Sequence, residues 1–517
     1  MHFLMAVALI APSVTSTAYA VETTSQQSSE AVTSTTDSSR KQEPIITQET
    51  TDIKQEAPNQ ATSDSVKQLQ ETTAPTETTN LETSTAEKEE TSTPQKITIL
   101  GTSDVHGQLW NWSYEDDKEL PVGLSQVSTV VNQVRAQNPA GTVLIDNGDN
   151  IQGTILTDDL YNKAPLVNEK THPMITAMNV MKYDAMVLGN HEFNFGLPLI
   201  QKIQQEATFP ILSANTYNKE DGRRFVEGTT TKELDFNQDG QPDLKVGIIG
   251  LTIPHIPLWD GPRVTSLNFL PLKEEAEKAV AELKTNDQAD IIVASIHAGQ
   301  QNSDPAASAD QVIENVAGID AYILGHDHLS FTKQGAAPNG KTVPVGGPKD
   351  TGTEVVKIDL SVAKNADKWE VQEGTATIVP TTNVPADEAV KAATKEYHEQ
   401  TRAFIQEEIG TATADFLPKQ EIKGIPEAQL QPTAMISLIN NVQKEVTGAQ
   451  LSAAALFKYD SKLPAGKISY ATIFDIYKYP NTLVSVPING ENLLKYLEKQ
   501  GAYYNQTQPD DLTISFN

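Results

Sequence analysis

Five short apolar runs in this chain end on side chains that bind cations. ITIL (97–100) leads into GTSDVHG, which carries Asp104 and His106. TVLI (142–145) leads into DNGDNIQG, with Asp149, and AMVL (185–188) leads into GNHE, with Asn190 and His191. DIIVAS (290–295) leads into IHAG and His297; AYIL (321–324) leads into GHDH, with His326 and His328. Five of the nine histidines lie at these tips. Asn190, His191 and Glu192 in a row are costly to bury without partners. They belong at the end of a strand that faces a cleft.

A pair of divalent ions needs about seven or eight nitrogen and oxygen ligands, with one carboxylate shared across a gap of ~3.5–4 Å. Asp104, His106, Asp149 and His328 suit one ion. Asp149, Asn190, His297 and His326 suit the other, with Asp149 as the bridge. Asn190 then donates through a neutral amide oxygen, which keeps the site positive enough for a phosphate. There is no cysteine. Thiolate and disulfide chemistry is excluded, and the donor set suits Mn, Zn, Mg or Fe. His191 is left over beside a ligand, where an imidazolium can protonate a leaving alkoxide. Asn190 and His191 are therefore the candidate catalytic pair. A second candidate cation site is DFNQDGQPDLK (235–245). Asp235, Asn237, Asp239 and Asp243 fall at calcium-loop spacing around Gly240, although position twelve is Val246 rather than Glu. The plainer alternative is an acidic turn between strands.

These tips need a rigid frame. The β-branched runs, joined by KVGIIG (245–250) and separated by helical stretches such as 272–284, predict an α/β sheet core from 96 to 382. In such sheets ligands gather beyond the carboxyl ends of the strands. The pattern breaks near Pro380–Pro385. Residues 387–409 read as a helix within a connector, 383–410, because Val390, Tyr397 and Phe404 recur on one face. A second, smaller domain (411–517) follows. It is predicted to hold a helix with Pro432 near its start and a Met435, Ile439, Val442, Val446 stripe. A strand (NTLVSVPI) and a helix after Asn489-Gly490 complete it. No closing element precedes Asn517, so the natural protein is expected to be longer. Residues 21–95 are rich in Thr, Ser, Glu and Gln and read as a disordered stalk. Residues 1–20 read as a secretory signal cut after Ala18-Tyr19-Ala20. The lack of Lys or Arg at its start points to residues upstream. The formal net charge of −29 excludes a coat of DNA or RNA. No segment is long and apolar enough to span a membrane. Cell-wall or surface attachment would need residues outside this chain.

DVH, GDNIQG, GNHEF, IHAG and GHDH, in this order, resemble the dinuclear metallophosphoesterases of the calcineurin-like superfamily. More narrowly, the chain is similar to the 5′-nucleotidase and 2′,3′-cyclic-nucleotide 2′-phosphodiesterase/3′-nucleotidase family. The resemblance runs from about Lys96 to the end. It implies a metallophosphoesterase β-sandwich flanked by helices. It also implies an α+β C-terminal nucleotide-binding domain, here incomplete. Typical 5′-nucleotidases carry Asp where this chain has Asn194, and Gln where it has His328. Both departures resemble the cyclic phosphodiesterase branch. The resemblance further implies that SAAALFK supplies a phosphate- or ribose-contacting cation, Lys458. YPNTL would supply a base-stacking aromatic, Tyr479, and a neighbouring Asn481. The family's second stacking aromatic should lie beyond Asn517.

The expected function is hydrolysis of 2′,3′-cyclic nucleotides to 3′-nucleotides and then nucleosides, by metal-activated hydroxide attack, outside the cell. Alternatives are an extracellular 5′-nucleotidase and a surface-displayed binding protein with a vestigial phosphatase core.

Overall fold

A computed structural model describes residues 2–8, 93–163, 169–366, 368–419, 427–454, 456, 458, 460–477 and 483–506. Residues 21–92 of the stalk (21–95), the Ala18-Tyr19-Ala20 pattern, Tyr479 and Asn481 lie outside these described residues.

Two six-stranded sheets form the core. One runs, edge to edge, Phe331–Ala336, Thr342–Gly347, Ala321–Leu324, Ile291–His297, Leu244–Thr252 and Thr229–Leu234. The other runs Lys368–Pro380, Glu354–Asn365, Gln95–Thr102, Thr142–Asp146, Ala185–Val187 and Ile211–Leu212. Each of the six apolar runs read from the sequence falls in one of these strands. Their apolar residues are buried on both faces, as expected for β-branched runs without alternation. Ile97, Ile99, Val143 and Ile145 of one sheet pack with Val246, Ile248, Val293 and Ile323 of the other. The opposite faces are covered by helices Leu124–Gln137, Pro173–Met181 and Leu272–Thr285, whose apolar stripes join a second apolar layer. The architecture is the helix-flanked β-sandwich that the resemblance implied.

Within each sheet the site-bearing strands are parallel. Gln95–Thr102 pairs parallel with Thr142–Asp146, which pairs parallel with Ala185–Val187. Ile291–His297 pairs parallel with Ala321–Leu324. Parallel pairing sends their carboxyl ends to one edge of each sheet, and the five tips issue there.

The connector departs from expectation. Its helix spans Glu388–Ile405, four residues short of the predicted end, because Glu408–Ala412 becomes a strand paired with Gly466–Ser469. Asp387 caps it, accepting from the backbone N–H groups of Ala389 at 2.7 Å and Val390 at 3.4 Å. Val390, Thr394, Thr401 and Ile405 are buried. The His398 ring stacks on Trp110, with centroids 3.9 Å apart and planes 2° from parallel. The connector is thus fastened to the catalytic unit along its length.

In the C-terminal domain a helix spans Ala434–Thr447, capped by Thr433, with Pro432 just before the cap. Met435 is buried, whereas Val442 and Val446 are 51% and 72% exposed; the predicted stripe is only half covered. Leu483–Asn489 and Gly490–Gln506 form the expected strand and helix.

At the N-terminus the sequence reading did not foresee a strand. In the structure His2–Ala8 is a strand between Leu451–Ala453, parallel, and Leu483–Asn489, antiparallel. A short apolar run satisfies a sheet position as readily as a signal's apolar stretch, and its composition does not separate the two. No helix among the described residues is long and apolar enough to cross a membrane.

Candidate metal centre

The five tips converge on two side-chain groups. Asp104, His106 and His328 form one; Asp149, His297 and His326 form the other. In the first, His106 Nε2 lies 3.1 Å from His328 Nε2, and His328 Nε2 lies 3.4 Å from Asp104 Oδ1. In the second, His297 Nε2 lies 3.1 Å from Asp149 Oδ2. Asn190 Oδ1 joins this group, 3.2 Å from His297 Nε2 and 2.8 Å from His326 Nδ1. All seven residues named from the sequence are therefore brought together. Such a set of imidazole, carboxylate and amide donors, with no sulfur, fits two hard or borderline divalent ions.

The backbone is strained to achieve this. Asp104, His106, Asp149, His326 and His328 all adopt left-handed conformations, with φ of 53°, 50°, 56°, 72° and 55°. Non-glycine residues rarely do so, and such strain clusters at functional sites. Two glycines are needed for close approach. A Cβ at Gly189 would meet Asp149 Oδ1, and one at Gly325 would meet Ser103 Oγ.

Groups outside the seven hold them in place. His297 Nδ1–H donates to the Asn147 carbonyl at 2.6 Å, which leaves Nε2 turned to the cluster. His106 Nδ1 lies 3.3 Å from the Gln152 carbonyl. Fully buried Glu192 accepts from the backbone N–H groups of Gly189 (2.7 Å), Asp149 (2.8 Å), Asn150 (2.7 Å) and Ile151 (3.3 Å). It ties the GDN and GNHE loops together. Asp350 Oδ2 stands 3.8 Å from His328 Nδ1. Glu192 was named from the sequence as a polar tip residue but given no role; Asp350 and the Asp260 described below were not named. Glu192 lay in plain view within GNHE. Asp260 ends a short helix and Asp350 sits in a turn, both distant along the chain, with no spacing to mark them.

The electrostatics follow from burial and mutual charge. Burial alone would raise Asp104 and Asp149. The His328 hydrogen bond at Asp104 and the His297 charge at Asp149 override it, so both fall below the ordinary range, Asp149 far below. Burial lowers His297, but its pairing with Asp149 more than offsets that and raises it to about 10. Burial lowers His326 to about 4, so it is a neutral donor. Burial also lowers His106, and the opposing influence next in size is Asp149. Asp149 thus acts on members of both groups. Its second oxygen, Oδ1, accepts from the His191 backbone N–H at 2.7 Å.

His191 faces the first group, its ring centroid 5.2 Å from that of His106. Its Nδ1 bonds Asn194 Oδ1 at 2.7 Å. The remaining expectations fare differently. Lys458 is paired with Asp475, and the structure joins it to none of the seven cluster residues. The side chains of the Asp235–Asp243 loop bond its own backbone. Asp235 and Asn237 accept from the Asp239 backbone N–H, and Asp235 also accepts from that of Gly240. Asp243 accepts from that of Phe236. Among the described residues these carboxylates form no ligand group. These bonds are the ones the acidic-turn alternative expects.

A family model described as calcineurin-like phosphoesterase matches residues 97–330, and one described as 5′-nucleotidase, C-terminal domain matches residues 408–516. The crystal structure of calcineurin-like phosphoesterase YfkN from Bacillus subtilis is 30% identical, with a TM-score of 0.56; the match covers 61% of this chain and 100% of that one. The chain belongs to the calcineurin-like phosphoesterase family. It is a metal-dependent phosphoric ester hydrolase. The full Trifunctional nucleotide phosphoesterase protein YfkN of B. subtilis (strain 168) is 30% identical over 457 residues, covering 81% of this chain but 31% of that protein. The 2′,3′-cyclic-nucleotide 2′-phosphodiesterase/3′-nucleotidase of Haemophilus influenzae is 29% identical over 451 residues, covering 80% of this chain and 68% of that protein.

Proposed function

We propose that the protein hydrolyses 2′,3′-cyclic nucleotides to 3′-nucleotides and then nucleosides, outside the cell. The observation that carries this reading is the pair of adjoining ligand groups with His191 beside them. The names of similar proteins support a nucleotide as the substrate. His328 and Asn194, the two departures from the 5′-nucleotidase pattern, support the cyclic phosphodiesterase branch. Two divalent ions bound in these groups would supply a clamp on the phosphoryl oxygens and would acidify a water for attack. Asp104, His106 and His328 would hold one ion, and Asn190, His297 and His326 the other, with Asp149 placed to serve both. The chain's own part is orientation and proton delivery. Glu192 fixes the loops that carry Asp149 and Asn190. His191 faces the scissile bond and gives the proton to the departing 2′ oxygen, while its Nδ1–H stays on Asn194. Lys458, Tyr479 and Asn481 are proposed to bind the nucleoside. Export rests on the Ala18-Tyr19-Ala20 pattern; cleavage there removes the His2–Ala8 strand from its sheet.

A substrate panel with metal analysis on one preparation tests the reading. Turnover of 2′,3′-cyclic AMP and 3′-AMP should exceed that of 5′-AMP, with two metals per chain. Preference for 5′-AMP would favour the 5′-nucleotidase reading, which the C-terminal family match also supports. A chain without metal or turnover would favour a binding protein.

A further inference from the structure

His191 is held by a chain of groups that ends at Asp260. Its Nδ1 meets Asn194 Oδ1 at 2.7 Å, Asn194 Nδ2 donates to Asp260 Oδ2 at 2.8 Å, and Arg263 donates to Asp260 Oδ1 at 2.9 Å. Asp260 is 3% exposed, 66 residues from Asn194 along the chain. It closes the short helix Ile256–Asp260, whose preceding residue, Trp259, lies against the His326 ring with centroids 5.7 Å apart. One turn of chain therefore touches both a candidate ligand and the support of the candidate proton donor.

Donor and acceptor logic fixes the direction of this chain. An ionised carboxylate only accepts, so the Asn194 atom facing Asp260 must be the NH₂. Its oxygen then faces His191, and that oxygen can only accept. Nδ1 of His191 must carry the hydrogen, and Nε2 is left to exchange a proton with substrate. Without Asp260 the amide is free to turn over and offer its NH₂ to Nδ1, which opposes that arrangement.

We propose that Asp260 is a positioning residue. Through Asn194 it orients the His191 ring, doing at one remove what a carboxylate at 194 would do directly. The inference rests on the proton-donor role of His191.

The test uses the full chain loaded with manganese and two substrates. In 2′,3′-cyclic AMP the leaving alkoxide needs a proton; in bis(p-nitrophenyl) phosphate the leaving phenolate does not. Asp260→Leu should lower kcat on the cyclic nucleotide ~10-fold, a fraction of what general acid catalysis supplies, while kcat on the nitrophenyl ester, KM and metal content hold. Equal loss on both substrates, or no loss on either, overturns the proposal. Should Asp260→Leu fail to fold, a swap takes its place. Asn194→Asp alone sets two carboxylates against each other and should lose turnover of the cyclic nucleotide. Asn194→Asp with Asp260→Asn restores a matched donor at every step and should regain it; no recovery overturns the proposal. His191→Ala is assayed alongside. If it shows no difference between the two substrates, the proton-donor reading itself falls; if it does and the Asp260 variants do not, only the role of Asp260 falls.

Discussion

Replacing His191 separates chemistry from metal binding. Its side chain belongs to neither ligand group, so His191→Ala should lower turnover of 2′,3′-cyclic AMP by ~10²-fold or more while both ions remain. Metal analysis beside a kinetic assay checks this; loss of the ions would make His191 structural. Glu192 is the opposite case. Its carboxylate accepts four backbone N–H groups from the two loops that carry Asp149 and Asn190. Glu192→Ala leaves those buried donors unpaired, and each unpaired group costs about 1–3 kcal/mol. Unfolding in urea should show a loss of at least about 3 kcal/mol, with weakened metal affinity; an unchanged midpoint would contradict the tying role. Ligand identity was legible because each ligand sits at the junction of an apolar run and a glycine. Glu192 was legible in type but not in purpose, since nothing local says that four N–H groups converge on it. Asp260 was not legible. Its partner Asn194 is 66 residues away, and sequence spacing carries no signal across a fold.

Among the elements, the helix Pro173–Met181 has an unusual start. His172, fully buried, caps it by accepting from the Met174 N–H through Nδ1 at 3.2 Å, and Nε2 faces Asn162 Oδ1 at 3.2 Å. Burial, with Lys202 adding to it, lowers His172 from 6.5 to about 3. An accepting Nδ1 and a buried ring both require the neutral form. The unfolded chain takes up this proton below pH 6.5, while the folded chain refuses it down to about 3. Stability conferred by the cap is therefore present above 6.5 and lost as pH falls through that window. His172→Asn can still cap a helix and should flatten the fall in melting temperature between pH 6.5 and pH 4. An identical slope in the variant would exclude His172 as its source. The sheet strands were readable because runs buried on both faces need no alternation. The end of the connector helix was not: residues 406–409 carry helix-compatible side chains, and only pairing with Gly466–Ser469 draws Glu408–Ala412 into a strand. The long hairpin of Glu354–Asn365 and Lys368–Pro380 was missed for a related reason. Its second strand is largely exposed and polar, and its partner sheet, not its own pattern, sets its state.

For the whole molecule, both sheets deliver their parallel ends to one place, and that convergence makes an acidic chain of net charge −29 able to hold a phosphate ester. Bound cations reverse the local field where the overall charge would repel the substrate. Trp110 and His398 clasp the connector helix to the catalytic unit, so the path to the C-terminal domain begins from a fixed root. The His2–Ala8 strand shows where whole-chain reasoning from sequence ran out, because an apolar run reports its need for burial and not which surface meets it. The central claim is a pair of neighbouring cations shared by five strand ends. Anomalous diffraction from crystals of the full chain grown with manganese tests it most directly. Two peaks ~3.5–4 Å apart are expected, one bounded by Asp104, His106 and His328, the other by Asn190, His297 and His326, with Asp149 touching both. A single peak, or manganese bound only elsewhere, would contradict it.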